Sequence, residues 1–164
     1  MVYAVVLAAG ASSRYGVAPP KQQELLPAVL AALRRSSLDG ILVVTGAHPV
    51  DTDASTVECP EWTRGPGASL RCGLASLADA ADAAVVVLAD GPDLDPRSVD
   101  RVVASWRGDG GDVVAAAYDG VRLHPVLLAR SVWPFVPDEG ARGLTARLVD
   151  CSDLVRPGDI DVRR

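Results

Sequence analysis

The side chains best suited to chemistry on phosphates are grouped near the start of the chain. An apolar run over 2–9 is followed directly by a polar loop over 10–21. Two glycines in this loop allow a ligand to approach the backbone closely, and its hydroxyls and cations suit anionic oxygens. The loop fits neither the Gly-x-Gly-x-x-Gly dinucleotide fingerprint nor the Walker Gly-Lys-Ser/Thr motif. It therefore predicts a phosphate-binding loop of another kind, formed by Gly10, Ser12, Ser13, Arg14, Gly16 and Lys21.

Lys21 differs from every other basic residue of the chain. It is the only lysine among sixteen basic residues, and the rest are arginine. An ammonium group is a compact point charge, whereas a guanidinium is a planar fork, so the two are not interchangeable at a crowded phosphate site. A phosphate-binding role is one interpretation of Lys21. Chance is an equal alternative, because a single lysine must occur somewhere in the chain.

Asp90 is the candidate ligand for a metal ion. It follows an apolar run over 83–89, and open α/β sheets bind ligands at the carboxyl ends of their strands. Asp95, which precedes Pro96, is expected to cap a helix, and Asp93 is expected to face solvent. Mg²⁺ bound to nucleotide phosphates takes one or two protein carboxylates, so Asp90 alone suffices as an anchor. An aspartate that only stabilises a turn is an equal alternative.

Three other positions suit chemistry, but each has an ordinary structural interpretation as well. Ser69 and Arg71 lie near the start of a predicted helix, where backbone N–H groups favour anions; an arginine there is also expected to be solvated. His124 opens an apolar strand, where a lone histidine is more often structural than catalytic. Asp161 lies in the tail over 154–164, where an isolated acid ordinarily faces solvent.

Apolar runs alternate with helical patterns, and together they predict the elements that position these residues. The segment 46–67 reads as a loop, the stretch 138–144 reads as a loop before a helix that ends near Val149, and Pro27 is expected in the first turn of the first helix. Strands alternating with helices predict one domain over 1–164, a three-layer α/β/α sandwich with a Rossmann-like, mostly parallel sheet. The predicted strands are 2–9, 41–45, 83–89, 112–117 and 124–128; the predicted helices are 22–37, one from about Ala68, and 96–107 before a stop at Gly108, with a turn at 119–120 and a short helix or turn at 131–136.

Composition limits the classes of function. With 164 residues and 49% hydrophobic content, the chain can bury a sizeable core. A net charge of −5 argues against nucleic-acid binding, which needs a basic face. Cys59, Cys72 and Cys151 contain no Cys-x-x-Cys pair, so we expect free thiols in a reducing compartment. With no leader or membrane-spanning run in the sequence, we expect a cytoplasmic protein without a membrane partner.

The segment 7–16, with a lysine downstream, resembles the signature loop of the MobA-like nucleotidyltransferases, and its Ala-Ala-Gly form is most similar to the molybdenum cofactor cytidylyltransferase branch. Further motifs of that family have counterparts in the expected order: Gly-Ala-Ser-Leu at 67–70, Asp-Gly-Pro at 90–92, His-Pro-Val at 124–126, Gly-Ala-Arg at 140–142 and Asp-Ile-Asp at 159–161. The chain departs from the pattern in three places. Four residues rather than two separate Gly16 from Lys21, the first helix is shorter, and Val162 replaces a threonine.

The resemblance implies a nucleotide-diphospho-sugar transferase-like fold and a Mg²⁺-dependent transfer of a nucleoside monophosphate. CTP, or else GTP, would donate to a phosphorylated acceptor such as molybdopterin, with release of pyrophosphate; a molybdoenzyme or a chaperone would be a further partner. Arg14, Lys21 and Asp90 would be catalytic, Asp90 and Asp161 would hold the metal, and His124 and Arg142 would face the acceptor. The nucleotide would contact Leu7, Ala8, Ala9, Gly10, Ser12, Ser13, Arg14, Lys21 and Ser69.

Two alternatives belong to other classes. A shortened, catalytically inactive relative that binds a nucleotide or a partner would explain the departures from the family pattern. A flavodoxin-like or receiver-type domain shares the alternation of strands and helices. Receiver chemistry needs clustered acids after the first strand, and the sequence has none there.

Overall fold

The computed structural model describes residues 1–9, 21–77 and 79–158, with only the backbone of 21–22. Within these residues, seven strands form one sheet in the order β3-β2-β1-β4-β6-β5-β7. Pairing along the sheet is parallel except where β6 runs antiparallel to β4 and β5. The prediction of a mostly parallel sheet is confirmed. The strands are β1 (Val2–Ala8), β2 (Gly40–Thr45), β3 (Ser55–Glu58), β4 (Ala83–Leu88), β5 (Val113–Tyr118), β6 (Val121–Ala129) and β7 (Arg147–Asp150).

Helices cover both faces of the sheet, as the predicted sandwich requires. The α-helices are α1 (Lys21–Arg34), α2 (Pro66–Ala75) and α3 (Pro96–Asp109), and short 3₁₀ helices span Trp62–Arg64, Arg130–Phe135 and Ala141–Gly143. One hydrophobic core joins the apolar faces of α1 and α3 to one side of the sheet. A second core joins α2 and the 3₁₀ helix 130–135 to the other side. Among the described residues, no helix has the length and apolar character needed to cross a membrane.

The central strands are buried on both faces, as their continuous apolar runs predict. Along β1, Ala4 and Val6 pack in the core with α1 and α3, whereas Val5 packs in the core with α2. Each of these three residues is fully buried. The period-2 alternation of a strand thus divides one uninterrupted apolar run between two cores.

Two strands of the sheet lie where the sequence predicts a loop or a helix. The segment 46–67 includes β3, and the helix expected to end near Val149 is instead β7. Both strands lie at the edges of the sheet. Their side chains are mostly exposed, so neither has the apolar pattern by which buried strands are recognised. Backbone pairing with one neighbour holds each strand in place.

Three predicted boundaries also differ from the structure. Pro27 lies inside α1 rather than in its first turn, because the helix already begins at Lys21. Helix α3 continues through Gly108 and ends at Asp109, with Gly110 as its C-cap. Strand β6 begins at Val121, so His124 lies within the strand. Asp95 does cap α3: its carboxylate accepts a hydrogen bond from the backbone N–H of Arg97 at 2.9 Å.

Candidate functional site

The carboxyl ends of the parallel strands meet at one edge of the sheet. Backbone hydrogen bonds continue past the strands there: the N–H of Ala89 donates to the carbonyl of Leu7 at 3.0 Å, and that of Ala47 to the carbonyl of Ala9 at 3.3 Å. Because β6 runs antiparallel to β4, its first half, which carries His124, lies at the same edge. Ligands of open α/β sheets bind at such an edge.

A cavity of about 360 Å³, here called the central cavity, opens at this edge. It brings together three of the predicted site residues, Leu7 of β1, His124 of β6 and Arg142 of the 3₁₀ helix 141–143. Its lining combines apolar side chains from three strands, Leu7, Val86, Leu88 and Val126, with four polar side chains, Arg122, His124, Glu139 and Arg142. A mainly apolar pocket with a few convergent polar groups is typical of a small-molecule site.

His124 is the most electrostatically perturbed group of the central cavity. Burial lowers its pKa to about 4, with the positive charge of Arg122 acting in the same direction and the negative charge of Asp90 opposing both. Asp90, which follows the neighbouring strand β4, thus influences the imidazole electrostatically. His124 also lines a smaller cavity of about 220 Å³ with Gly91 and Gly158. The peptide bond between His124 and Pro125 is cis.

Arg122 is a residue of the cavity that the sequence reasoning missed. One guanidinium nitrogen donates to the carbonyl of Leu144 at 2.5 Å, and another donates to the carbonyl of Ala141 at 2.8 Å. These two carbonyls flank Arg142, so Arg122 fixes the backbone that presents Arg142 to the cavity. A signal was present in the sequence, since Arg122 lies two residues before His124 and therefore on the same face of β6.

The two acids that precede the Gly-Ala-Arg motif have different roles. Asp138 forms an ion pair with Arg71 at 2.6 Å, and the hydrogen bond from Arg71 holds the pKa of Asp138 below its ordinary value. Glu139 lines the central cavity with Arg142. Of these two acids, Glu139 is therefore the one that faces a ligand in that cavity.

Arg71 has a different role from the one predicted. Its guanidinium donates to the carbonyl of Val136 at 2.7 Å as well as to Asp138. The N–H of Gly67, at the start of α2, donates to the carbonyl of Asp138 at 2.8 Å. These contacts attach the first turn of α2 to the loop 136–140. Ser69, in the same turn, is 2% exposed and is not among the residues that line the central cavity.

Asp90 follows β4 at the carboxyl edge, as predicted. The carbonyl oxygen of Gly158 would lie 3.2 Å from a Cβ at Gly91, and a carboxylate oxygen of Asp93 would lie 3.4 Å from a Cβ at Gly158. The chain thus returns to the Asp90 turn three residues before Asp161. Asp93 is exposed, as expected.

Several predicted site residues lie outside the described residues: Gly10, Ser12, Ser13, Arg14 and Asp161. Lys21 is the first residue of α1, and only its backbone is described. Ala8 and Ala9 are buried at the end of β1, with 1% and 7% of their surface exposed. Within 1–9, 21–77 and 79–158, no cluster of three or more ligating side chains could hold a metal ion.

Comparison with models of known protein families identifies the family of this chain. The model of the MobA-like NTP transferase domain matches residues 4–151. This chain belongs to the MobA-like NTP transferase family. It is a nucleotidyltransferase-type enzyme, and neither a flavodoxin-like nor a receiver-type domain. A search of curated proteins found no sequence that matches it.

Solved structures share the fold along nearly the whole chain. A homologue of Rv0371c from Mycobacterium sp. strain JC1 is 26% identical with a TM-score of 0.79, and the match covers 98% of this chain and 90% of that one. Rv0371c of Mycobacterium tuberculosis H37Rv is also 26% identical, with a TM-score of 0.77 and coverage of 98% and 93%; it has been solved with manganese too. CMP:2-keto-3-deoxy-manno-octonic acid synthetase, solved with CTP, has a TM-score of 0.74 at 12% identity and coverage of 96% and 92%, so it shares the fold alone.

Proposed function

We propose that this enzyme transfers a nucleoside monophosphate from an NTP, with CTP favoured, to a small phosphorylated acceptor, releasing pyrophosphate. The observation that carries the proposal is the central cavity at the carboxyl edge of the sheet, which is lined by His124 and Arg142. Asp90 follows β4 at the same edge and influences the pKa of His124. Family membership supports the reaction type. The Ala-Ala-Gly form of the first loop supports cytidine over guanosine and an acceptor resembling molybdopterin.

Asp90 is the residue to which we assign the divalent metal ion, with Asp161 as the second ligand. The donor set fits Mg²⁺, because a hard cation bound to a triphosphate needs only one or two carboxylates. Rv0371c has been solved with manganese, an ion that takes similar oxygen ligands. Bound at Asp90, Mg²⁺ would act as a Lewis acid that draws charge from the α-phosphate. Gly158 lies beside Gly91, which supports a role for the segment that follows it.

The residues of the chain would act mainly by positioning and by stabilising charge, as in phosphoryl transfer generally. Arg14 and Lys21 would balance the charge of the triphosphate. Arg142 is exposed and forms no ion pair with the residues that the structure describes, so its cation is available to the phosphate of the acceptor. His124 would contact the acceptor as a neutral imidazole. The apolar part of the lining suits the faces of a planar acceptor ring, and the polar side chains suit its hydrogen-bonding edge.

The partners implied by this reaction are also proposals. A molybdopterin-type acceptor would make a molybdoenzyme or its chaperone the recipient of the product, and a cytoplasmic location would follow. The net charge of −5 supports small-molecule ligands rather than nucleic acid.

The proposal is tested by measuring pyrophosphate release with each NTP, Mg²⁺ and phosphorylated pterin acceptors. Replacing Asp90 by asparagine should reduce turnover on the order of a hundredfold or more, the size expected for loss of a charge-stabilising group. Asp93→Asn is the matched control, since it removes a carboxylate from the same turn, where it is exposed. Equal turnover in the two variants would refute the role of Asp90. Tight NTP binding without turnover for any acceptor would instead favour the inactive, ligand-binding relative.

A further inference from the structure

Two of the three cysteines lie together, away from the central cavity. Cys59 directly follows β3, and Cys72 is in the middle of α2. Both line an open cavity of about 770 Å³ on the α2 side of the sheet. Cys59 is 2% exposed, and Cys72 is partly exposed. The third cysteine, Cys151, is buried in the opposite core.

The hydrogen bonds of the two thiols are reciprocal. The sulfur of Cys59 lies 3.7 Å from the carbonyl oxygen of Ala68, one helical turn before Cys72. The sulfur of Cys72 lies 3.9 Å from the carbonyl oxygen of Glu58, whose carbonyl carbon is bonded to the nitrogen of Cys59. Each sulfur therefore contacts the backbone of the segment that carries the other cysteine. Cys59 also contributes to raising the pKa of the Cys72 thiol, as expected of two thiols on neighbouring elements that line the same cavity.

We propose that Cys59 and Cys72 form a redox-modifiable pair, joined into a disulfide by a peroxide. The sulfur of Cys72 attacks the peroxide, the O–O bond breaks, and a sulfenic acid forms with release of one water. The sulfur of Cys59 then attacks the sulfur of Cys72; the S–S bond forms, the S–O bond breaks and a second water leaves. In total, two thiols lose two electrons and two protons to one hydrogen peroxide.

Exposure determines the order of the two steps. Cys72 is the partly exposed thiol of the pair, so the oxidant meets it first, whereas Cys59 is placed to resolve the sulfenic acid. Burial raises the pKa of Cys72 to about 11, with smaller contributions in the same direction from Cys59 and Glu61. Little thiolate is then present at neutral pH, and the thiolate is the reactive form. The pair therefore stays reduced until peroxide is abundant.

The bond would connect the end of an edge strand to the helix that carries the Ser-Leu motif. It would enclose the segment 59–72, which includes the 3₁₀ helix Trp62–Arg64 and the first turn of α2. Closing a loop of this kind restricts the unfolded chain, so the oxidised protein should melt at a higher temperature than the reduced one. The inference does not depend on the proposed reaction, because neither thiol lies in the central cavity.

The experiment is peptide mapping of the folded, full-length protein after treatment with hydrogen peroxide, thiol blocking and tryptic digestion without reduction. The expected product is a disulfide-linked pair of peptides, 36–64 and 72–97, with the Cys151 peptide fully blocked as a free thiol. The Cys151→Ser variant should give the same linked pair. The same treatment in concentrated guanidinium chloride should lose this selectivity and give links that include Cys151.

Two results would overturn the proposal. One is the absence of the linked pair from the folded protein, whether Cys72 is then over-oxidised, joined to a second molecule or still a thiol. The other is a 59–72 link that forms only after unfolding. Neither result requires a cysteine variant to fold, and neither bears on nucleotidyl transfer.

Discussion

At the level of single residues, the local environment of His124 decides its chemistry. Burial lowers its pKa to about 4 despite the nearby carboxylate of Asp90. At neutral pH the imidazole is therefore uncharged and offers one N–H donor and one nitrogen acceptor. With so low a pKa, His124 would be a weak general base. Its position in the lining of the central cavity suits a hydrogen-bonding role toward the acceptor.

The lowered pKa of His124 predicts how the stability of the protein depends on pH. An unfolded histidine has a pKa of about 6.5, so between pH 4 and 6.5 the unfolded chain binds more protons at His124 than the folded protein does. The free energy of unfolding should therefore rise with pH through this window, by up to roughly 3 kcal/mol from this residue. Guanidinium unfolding at pH 4.5 and pH 7 measures the difference.

The His124→Gln variant isolates the contribution of that residue. Glutamine keeps a hydrogen-bonding side chain but does not titrate, so the variant should lose less stability than the wild type between pH 7 and pH 4.5. Carboxylates that titrate near pH 4 affect both proteins alike and cancel in the comparison. An identical loss in the two proteins would show that His124 does not carry the shift.

At the level of elements, α2 is held against its neighbours where glycines leave no room for a side chain. A Cβ at Gly73 would lie 2.6 Å from a methyl carbon of Val44 and 3.1 Å from one of Val5, so this position sets the distance between helix and sheet. A Cβ at Gly67 would lie 1.7 Å from the carbonyl oxygen of Pro137. Both glycines thus have a packing role: Gly73 brings α2 close to the sheet, and Gly67 brings α2 close to the loop before the Gly-Ala-Arg motif.

This packing predicts opposite effects for two glycine-to-alanine changes. Gly67→Ala should lower the free energy of unfolding by about 1–3 kcal/mol, as overpacking does, because a backbone carbonyl cannot move aside as a flexible side chain can. Gly108→Ala is the matched control. It lies inside α3 with nothing within 4 Å of its Cβ position, so alanine should raise stability by up to roughly 1 kcal/mol. Denaturant unfolding curves measure both, and similar values for the two variants would contradict the packing argument.

At the level of the whole molecule, the sequence pattern predicted the buried strands of the sheet but not its exposed edge strands. The inner strands β1, β2 and β4 are mainly apolar, because both of their faces are covered, and their positions were predicted closely. The edge strands β3 and β7 have mostly exposed side chains and are held by backbone pairing, which no side-chain pattern records.

In the candidate site, too, some features were predicted from the sequence and others depend on contacts across the fold. The strand-end position of Asp90 followed from the order of elements, and the meeting of His124 with Arg142 was anticipated only through the family resemblance. The support that Arg122 gives to Arg142 was not predicted, because it depends on contacts to the carbonyls of Ala141 and Leu144 across the fold. The separate roles of Asp138 and Glu139 likewise required the tertiary contact with Arg71.

The fold and the site together predict how the whole domain responds to its ligands. A ligand that binds only the folded state stabilises it by mass action, by about 2.7 kcal/mol at a concentration of 100 times its Kd. For a domain of this size, each kcal/mol raises Tm by about 2–4 °C. CTP with Mg²⁺ should therefore raise Tm by roughly 5–10 °C at such a concentration, and GTP, ATP and UTP should raise it less.

CMP is the matched control, because it presents the same base without the β- and γ-phosphates, and its shift should be small with or without metal. In Asp90→Asn the part of the CTP shift that needs Mg²⁺ should disappear while the ligand-free Tm stays close to that of the wild type. A CTP shift that is equal with Mg²⁺ and with a chelator would refute the metal-triphosphate site, and equal shifts for the four nucleotides would refute the preference for cytidine.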